Sequence, residues 1–243
     1  MTKEYDVYHS TSVRFYDLLY AAQGKDYRKE TDYLVKTIRS NGGERARSLL
    51  DVACGSGAHL SHLRKHFDVE GVDISAEFLS VAQAKSPAVK FHLGDMRTFR
   101  TGKLYDVVTC LFSSIGYMVT VVELDTAIAN MAAHLAPGGL LLVEPWFPPG
   151  FLESGRVAML VVEDADMKLV RMNTMKVDGA ISSFDFHYLI GTPSGTEHVV
   201  ETHRMGLFSE DQMLHAFAAS SLSVHYIEEG LTGRGLYAAT AGT

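Results

Sequence analysis

The hydrophobic and polar positions between residues 45 and 143 follow two alternating periods. Short, continuously apolar runs typical of buried strands are separated by stretches with apolar residues at helical spacing. The predicted strands are 48–53, 69–73, 89–93, 105–111 and 140–143, and the predicted helices are 59–66, 77–85 and 124–135, the last ended by Pro137-Gly138-Gly139. This alternation predicts an α/β fold whose parallel sheet is covered by helices on both faces.

The pattern changes on both sides of this segment. Residues 27–39 have helical spacing, so residues 1–45 are predicted to form N-terminal helices that close over a site as a lid. Residues 151–208 are rich in β-branched side chains and contain the hairpin signal Asp178-Gly179, which predicts an antiparallel insertion. Its strands are predicted at 157–162, 170–177, 181–190 and 199–207. A helix over 210–219, capped by Ser209, and strands 224–228 and 235–239 then complete a single domain, 1–243.

Composition and charge narrow the class of protein. The 243 residues are 47% hydrophobic and 21% charged, which is ordinary for a folded domain. The net charge of −7 gives no long-range attraction to nucleic acid phosphates. The longest apolar run, 157–162, is far shorter than the ~20 residues that span a bilayer. With two cysteines, Cys54 and Cys110, and no apolar signal segment, we expect a cytoplasmic enzyme without nucleic acid or membrane partners.

The strongest local motif is the strand-to-helix turn DVACGSG at 51–57. Its two glycines, Gly55 and Gly57, let the backbone approach a ligand closely. Asp73 ends the next strand 18 residues after Gly55, at the position that binds ribose hydroxyls in nucleoside-binding sheets. The motif therefore predicts a nucleoside site, although a tight structural turn is the alternative.

Two further positions bear on which nucleoside is bound. After the third strand, Asp95 can accept a hydrogen bond from an adenine amino group while Met96 packs on the ring. The third glycine of a dinucleotide-binding motif is replaced by Leu60. Both observations favour a nucleoside without a pyrophosphate and disfavour an NAD-dependent oxidoreductase.

Five motifs, in this order and spacing, resemble those of class I S-adenosylmethionine-dependent methyltransferases: LLDVACGSG, GVDIS, GDMRTF, YDVVTCLFSSIGY and LAPGGLLLVEPW. The resemblance covers residues 45–150 and implies a Rossmann-like sheet, with the antiparallel insertion after its fifth strand. FYDLLY…GKDY at 15–27, EPWF at 144–147 and GRGLY at 233–237 extend it nearly end to end. These resemble bacterial N-methyltransferases of dTDP-linked amino-deoxysugars, of the desosamine and mycaminose type in antibiotic biosynthesis. Ala21-Ala22-Gln23 and Phe147 depart from that pattern and leave the preferred sugar open.

The resemblance implies a role for each matching residue. The cofactor S-adenosylmethionine is expected to bind to Asp51, Ala53, Gly55, Gly57, Asp73, Ile74, Asp95, Met96 and Leu111. The nucleotide sugar is expected to contact Tyr20, Lys25, Tyr117, Trp146 and Arg234. Arg234 suits the diphosphate, and the tyrosines of the first forty residues suit a lid that stacks on the base. Those tyrosines are Tyr5, Tyr8, Tyr16, Tyr20, Tyr27 and Tyr33.

The chemistry points to two catalytic candidates. Methyl transfer to an amine is an in-line displacement, so the enzyme must chiefly hold a neutral amine in line with the methyl group. Tyr117 is the candidate that orients the amine, and Glu144, after the fifth strand, is the second. The alternatives are that Tyr117 only walls the cofactor pocket and that Glu144 forms a loop salt bridge.

Other interpretations remain open. The acceptor could be another small amine or a hydroxyl, and a hydroxyl would need a general base. The chain could also be a non-catalytic cofactor-binding module. No metal is expected, because His59, His62 and His66 share a helix face without the glutamate of a metalloprotease motif. We expect a homodimer formed through the insertion, whose exposed strands would otherwise be open edges.

Overall fold

The computed structural model describes residues 10–242 and contains two sheets. In chain order the strands are β1 (Ser48–Val52), β2 (Asp68–Asp73), β3 (Lys90–Leu93), β4 (Tyr105–Cys110), β5 (Leu135–Val143), β6 (Val157–Asp164), β7 (Met167–Thr174), β8 (Lys176–Asp178), β9 (Ile181–Thr192), β10 (Gly195–Gly206), β11 (Leu222–Ile227) and β12 (Leu236–Ala241). The main sheet has seven strands in the order β11-β12-β5-β4-β1-β2-β3. The second sheet is antiparallel in the order β10-β9-β7-β6, with β8 paired to β9.

The helices are α1 (Ser10–Ala22), α2 (Tyr27–Ser40), α3 (Ala58–Leu63), α4 (Ala76–Lys85), α5 (Val121–Ala132) and α6 (Glu210–Ala219). Four of the helices, α2, α4, α5 and α6, begin at side-chain caps that the sequence supplies. Asp26 accepts hydrogen bonds from the first turn of α2, and Ser75 and Thr120 do the same for α4 and α5. Ser209 and Gln212 form a reciprocal capping box at α6, which confirms the predicted helix with its predicted bounds. No helix within residues 10–242 is long and apolar enough to cross a membrane.

The main sheet is buried on both faces, which explains its continuously apolar strands. Successive side chains of a strand point to opposite faces, so Leu49 and Leu50 of β1 enter different cores. Leu49 packs in the core that α2 and α3 cover, and Leu50 packs in the core beneath α5 and α6. The parallel ladders β3-β2-β1-β4-β5 place the carboxyl ends of five strands along one edge.

The insertion sheet packs one face against α1. Leu19 of α1 joins Val162, Leu169, Tyr188 and Ile190 of the insertion in a separate apolar cluster. The hairpin predicted at Asp178-Gly179 joins β8 to β9, and three of the four predicted insertion strands are present as single strands. The insertion therefore lies beside the N-terminal helices, near the strand ends of the main sheet.

β12 runs antiparallel to β5, so the main sheet is parallel only from β3 to β5. Three details differ from the expectations. The strand predicted at 170–177 is divided into β7 and β8. The fifth helix ends at Ala132 rather than 135, because the chain already pairs with β4 at Leu135 and carries Pro137-Gly138-Gly139 inside β5 at an irregular register. α3 ends at Leu63, before the predicted 66, in a turn in which the N–H of His66 donates to the carbonyl of Leu63. Tyr5 and Tyr8 of the predicted lid lie outside the described residues.

Candidate active site

A cleft opens where the parallel strands end, and it consists of two adjoining cavities. The larger, of about 220 Å³, lies beyond β2 and β3, and the smaller lies beside the end of β1. Tyr16, Ala53, Gly55 and Ser114 line both cavities and so mark their junction. The first glycine turn and α1 thus meet at the centre of the cleft.

The glycine turn adopts a backbone that explains its composition. Gly55 and Gly57 have φ values of 53° and 70°, in the left-handed region that glycine adopts without steric cost. The N–H of Gly55 donates to Oδ2 of Asp73 at 2.7 Å, and the N–H of Ser75 donates to Oδ1 at 2.9 Å. Burial raises the pKa of Asp73, and these hydrogen bonds offset part of that rise. Ala53 shares the positive φ, at 58°.

Asp51 and Leu111 lie beside this turn and line the smaller cavity. Asp51 is buried and accepts a hydrogen bond from the hydroxyl of Thr109 at 2.8 Å. Burial raises the pKa of Asp51 to about 6, although the charge of His59 and the bond from Thr109 act against it. A carboxyl group that is so costly to ionise in the apo state favours a cationic or hydrogen-bond-donating ligand in that cavity.

The far end of the larger cavity combines apolar walls with a carboxylate. Ile74, whose side chain is 55% exposed, and Met96 provide the walls. Asp95 accepts from the backbone N–H of Arg97 at 2.8 Å and from its Nε at 3.0 Å. Nη1 of Arg97 also donates to Glu123 at 2.7 Å. Burial raises the pKa of Asp95, but the bonds from Arg97 outweigh it and the net pKa is lowered. The sequence pattern did not identify Arg97 or Glu123.

A buried ionic cluster borders the smaller cavity. Nζ of Lys25 donates to both carboxylate oxygens of Glu30 at 2.8 Å, and Nε2 of His59 lies 2.7 Å from the same carboxylate. The ring of Tyr27 packs edge-on against His59 at 4.9 Å. Burial lowers the pKa of Lys25, and the bond to Glu30 counteracts this. Glu30, for which the sequence carried no signal, thus links Lys25 to His59 in the first turn of α3, next to the glycine turn.

The substrate-side candidates converge on one aromatic ring. Phe112, at a φ of 53° after β4, lies at the edge of both the smaller cavity and this group. Nζ of Lys25 is 3.7 Å from the centre of that ring, and the ring of Tyr20 is 4.8 Å away, edge-on. The guanidinium of Arg234 lies 5.7 Å from Phe112 and 5.3 Å from Trp146. Four of the five predicted substrate-side residues are therefore brought together, and the fifth, Tyr117, lies at the larger cavity.

Glu144 anchors the loops that carry this group. It is buried, and its Oε2 accepts from the N–H of Phe112 at 2.6 Å. Its Oε1 accepts from the hydroxyl of Thr232, in the loop that also carries Arg234. Nη1 of Arg234 in turn donates to the hydroxyl of Ser113 at 3.0 Å. The two carboxylate oxygens of Glu144 thus fix the positions of Phe112 and of the loop that carries Thr232 and Arg234.

Tyr117 connects the larger cavity to the insertion. It lies in a short 3₁₀ turn, Ser114–Tyr117, and its hydroxyl is 2.9 Å from Nδ1 of His203 on β10. Thr202 and Arg204 of the same strand line the larger cavity. The sequence placed the insertion after β5 but carried no signal for which of its strands borders the cleft.

The cleft suits a nucleoside joined to a charged tail. Asp73 and Asp95 offer acceptors, while Ile74 and Met96 give apolar contact. Gly57, a predicted cofactor residue, lines neither cavity; it lets the turn pack closely on α4, because a Cβ there would come within 3.1 Å of Ala82. The smaller cavity adds the charged cluster around Glu30. These residues fit S-adenosylmethionine. Within residues 10–242, no group of three or more histidine, cysteine or acidic side chains could hold a metal ion.

Known proteins match this chain over nearly its whole length. The family described as a methyltransferase domain matches residues 49–139. A dTDP-3-amino-3,6-dideoxy-alpha-D-glucopyranose N,N-dimethyltransferase of Streptomyces fradiae is 40% identical over 97% of this chain and 92% of its own.

Two solved structures share the fold. DesVI of Streptomyces venezuelae is 37% identical, with a TM-score of 0.90 over 97% of this chain and all of its own. The S-adenosylmethionine-bound CalS10, an amino pentose methyltransferase from Micromonospora echinaspora involved in calicheamicin biosynthesis, is 36% identical, with a TM-score of 0.85 over 93% and 95% of the two chains.

Proposed function

This chain belongs to the S-adenosylmethionine-dependent N-methyltransferases of dTDP-linked amino-deoxysugars, and from that premise we propose that it transfers one or two methyl groups to the amino group of such a sugar. The observation that carries the proposal is the pairing of a nucleoside-shaped cleft with a cationic and aromatic group around Phe112. An acceptor that bears both a diphosphate and an amine suits that pairing.

The proposed cofactor site extends from the larger cavity into the smaller one. We place the ribose at Asp73, the adenine between Ile74 and Met96 with Asp95 at its edge, and the methionine end in the smaller cavity. Asp51, Ala53, Gly55, Gly57 and Leu111 complete that side. When bound, S-adenosylmethionine supplies an electrophilic methyl group on a sulfonium.

The chain's own residues then position the acceptor. Arg234 and Lys25 hold the diphosphate, while Tyr20 and Trp146 pack against the sugar or base. Tyr117 orients the amine, and Glu144 keeps Phe112 and the Thr232 loop in place. Rate acceleration comes chiefly from proximity and alignment of the neutral amine.

The outer face of the insertion supports the proposal of a homodimer. One row of paired residues runs across four strands: Met159, Met172, His187 and Val200. A parallel row contains Val161, Val170, Leu189 and His198. Met159, Met172 and Leu189 are 63%, 43% and 49% exposed, so a second copy would cover an apolar sheet face.

We place the enzyme in the cytoplasm, since Cys54 and Cys110 are both free thiols.

The test uses purified protein, S-adenosylmethionine and a panel of dTDP-linked 3-amino and 4-amino deoxysugars, with product masses as the readout. Each amino sugar is matched by the same sugar with a hydroxyl in place of the amine. We expect one or two added methyl groups on amino sugars only. Methylation of the hydroxyl sugars would instead establish an O-methyltransferase. Tight S-adenosylmethionine binding without methylation of any sugar would contradict the proposed acceptor.

A further inference from the structure

Tyr117 is the cavity-lining end of a buried polar chain that continues into the insertion. Its hydroxyl lies 2.9 Å from Nδ1 of His203, and Nε2 of His203 lies 3.8 Å from Oε2 of Glu201, within ion-pair distance. His203 is 1% exposed and Glu201 is 2% exposed. A histidine and a glutamate buried this deeply on one strand are costly to the fold unless they interact with each other or with a ligand.

The ring of His203 is held in one orientation. Phe184 stacks on it at 5.2 Å with an interplanar angle of 14°, and Phe186 meets it edge-on at 4.9 Å. Residues at i and i+2 of a strand share a face, which brings Glu201 beside His203. This packing directs Nδ1 to Tyr117 and leaves Nε2 on the side of Glu201.

Two other charged or titratable groups share this buried face. The guanidinium of Arg171, on β7, lies 4.4 Å from the ring centre of Phe186 and interacts with the hydroxyl of Tyr188. Burial and, to a lesser extent, the charge of Glu201 raise the pKa of Tyr188, which therefore stays neutral. Tyr117, Glu201, Arg171 and Tyr188 are the groups that set the electrostatic environment of His203 on this face.

The reaction needs a proton acceptor because the amine of the substrate is mainly protonated at neutral pH. A sugar amine has a pKa between those of an α-amino group and a lysine, about 8 and 10, so it reaches the enzyme mainly as an ammonium ion at neutral pH. An ammonium nitrogen has no lone pair and cannot attack a methyl group. One proton must leave before each transfer, and a second must leave if two methyl groups are added.

We propose that Tyr117, His203 and Glu201 form the relay that removes this proton. The inference rests on the function proposed above. An N–H bond of the substrate ammonium breaks as its proton passes to the phenol oxygen of Tyr117, and the phenol proton passes to Nδ1 of His203. Tyr117 is neutral before and after, the amine gains its lone pair, and His203 becomes an imidazolium ion beside the Glu201 carboxylate. When the methylated amine leaves, the proton returns from His203 through Tyr117 to solvent in the cleft, which resets the relay.

Two substitutions of His203 separate hydrogen bonding from proton transfer. His203→Asn keeps a hydrogen-bonding group near the position of Nδ1 but cannot accept a proton, whereas His203→Leu removes both. We expect kcat at pH 7 to fall about a hundredfold in both variants, at the lower end of general base effects. The deficit should shrink toward pH 9, where the amine arrives neutral. KM for the sugar and the affinity for S-adenosylmethionine should change little in His203→Asn.

The controls are an exposed histidine outside the relay and a double variant within it. His225→Asn changes an exposed histidine of β11 and should leave the pH profile of kcat unchanged. In a Tyr117→Phe background, His203→Asn should cause no further loss, because the link to the substrate is already broken. A pH-independent loss, or additive losses in the double variant, would assign His203 a purely structural role.

A direct readout is ¹⁵N NMR of labelled histidine, with the His203 signals assigned by their absence in His203→Asn. Adding a dTDP-amino-deoxysugar to the enzyme with S-adenosylhomocysteine should move the His203 nitrogens to imidazolium shifts, and the hydroxyl analogue should not. Wild-type turnover with a His203 that stays neutral would overturn the relay alone. Absence of wild-type turnover on every amino sugar would overturn the proposed function and the relay with it.

Discussion

Arg234 is held by a hydrogen bond and by two aromatic rings, so its replacement tests directly whether this group binds the nucleotide sugar. It donates to Ser113 and lies 5.3 Å from the rings of Trp146 and Phe147. Because a lysine cannot reproduce the planar, bidentate contact to phosphate, Arg234→Lys should raise KM for the nucleotide sugar about tenfold to a hundredfold. We expect kcat to change less, and the Kd of S-adenosylmethionine by calorimetry to stay constant. Arg156→Lys, at an exposed position before β6, is the matched control.

Gly235, which follows Arg234, has no space for a side chain. Gly235 has a φ of 80°, and a Cβ there would lie 1.9 Å from the hydroxyl oxygen of Tyr226. That hydroxyl also donates to the carbonyl of Arg234 at 3.1 Å. Gly235→Ala should therefore displace Arg234 and reproduce the rise in KM of Arg234→Lys. Gly242→Ala has open space and should leave KM unchanged. An unchanged KM in Gly235→Ala would show that this loop does not hold the nucleotide sugar.

Single residues were predictable where one local motif defines them. Gly55 and Asp73 belong to a strand-turn-helix unit of fixed geometry, and the structure joins them by a hydrogen bond of 2.7 Å. Glu30 and His203 gave no such signal, because each becomes informative only through a partner far along the chain. Glu30 meets His59 from 29 residues away, and His203 meets Tyr117 from 86 residues away.

At the scale of secondary structure elements, one acidic residue ties three strands together away from the cleft. Glu70 of β2 is buried and receives hydrogen bonds from His92 of β3 at 2.7 Å and from Tyr105 of β4 at 2.9 Å. Lys103 completes the group. Burial alone would raise the pKa of Glu70, but the bonds from Lys103, His92 and Tyr105 outweigh it and lower the pKa to about 2.

This lowered pKa predicts a pH-dependent stability. The drop from the ordinary 4.5 to about 2 corresponds to about 3 kcal/mol, at about 1.4 kcal/mol per tenfold change in proton affinity. An acid that is stronger in the folded state stabilises the fold above its unfolded pKa, and that stability is lost as the pH falls from about 4.5 toward 2. Glu70→Gln should therefore lower the free energy of unfolding by about 3 kcal/mol at pH 7 in urea titrations.

The same titrations at lower pH distinguish two causes of a destabilised Glu70→Gln: loss of the charge interactions of Glu70 and loss of packing. The difference between wild type and Glu70→Gln should narrow at pH 3.5, where the unfolded glutamate is protonated. Glu197→Gln, at an exposed position of β10, should differ from wild type by less than about 0.5 kcal/mol at both pH values. A deficit of Glu70→Gln that is the same at pH 7 and pH 3.5 would contradict the electrostatic explanation.

Elements were predictable from sequence when their signals were local. α6 was located to the residue because Ser209 and Gln212 cap it, and the β8–β9 turn was located by Asp178-Gly179. The start of β5 was misplaced, because Leu135 pairs with Tyr105 of a distant strand and draws Pro137 into the sheet. The direction of β12 was likewise set by its neighbours β5 and β11 rather than by its own apolar pattern.

At the scale of the whole molecule, the two sheets contribute different parts of one site. The main sheet supplies the glycine turn and the strand ends that line the two cavities. The insertion supplies Ser182, which accepts from Nε1 of Trp146 at 3.0 Å, and His203, which meets Tyr117. Alternation along a strand indicates only that one of its faces is buried. The sequence therefore could not show that the face carrying Ser182 and His203 packs against Trp146 and Tyr117.

The opposite face of the insertion gives the prediction for the assembled molecule. Its paired rows place Met159 beside Met172 and Val161 beside Val170, so one charge there would disturb the centre of an apolar contact between two copies. Met159→Lys should convert a dimer to a monomer in sedimentation equilibrium, while the Kd of S-adenosylmethionine stays unchanged. Val122→Lys, at an equally exposed apolar position on α5, should remain dimeric. A wild-type monomer at micromolar concentration, or a dimer that survives Met159→Lys combined with Leu189→Lys, would exclude this face as the interface.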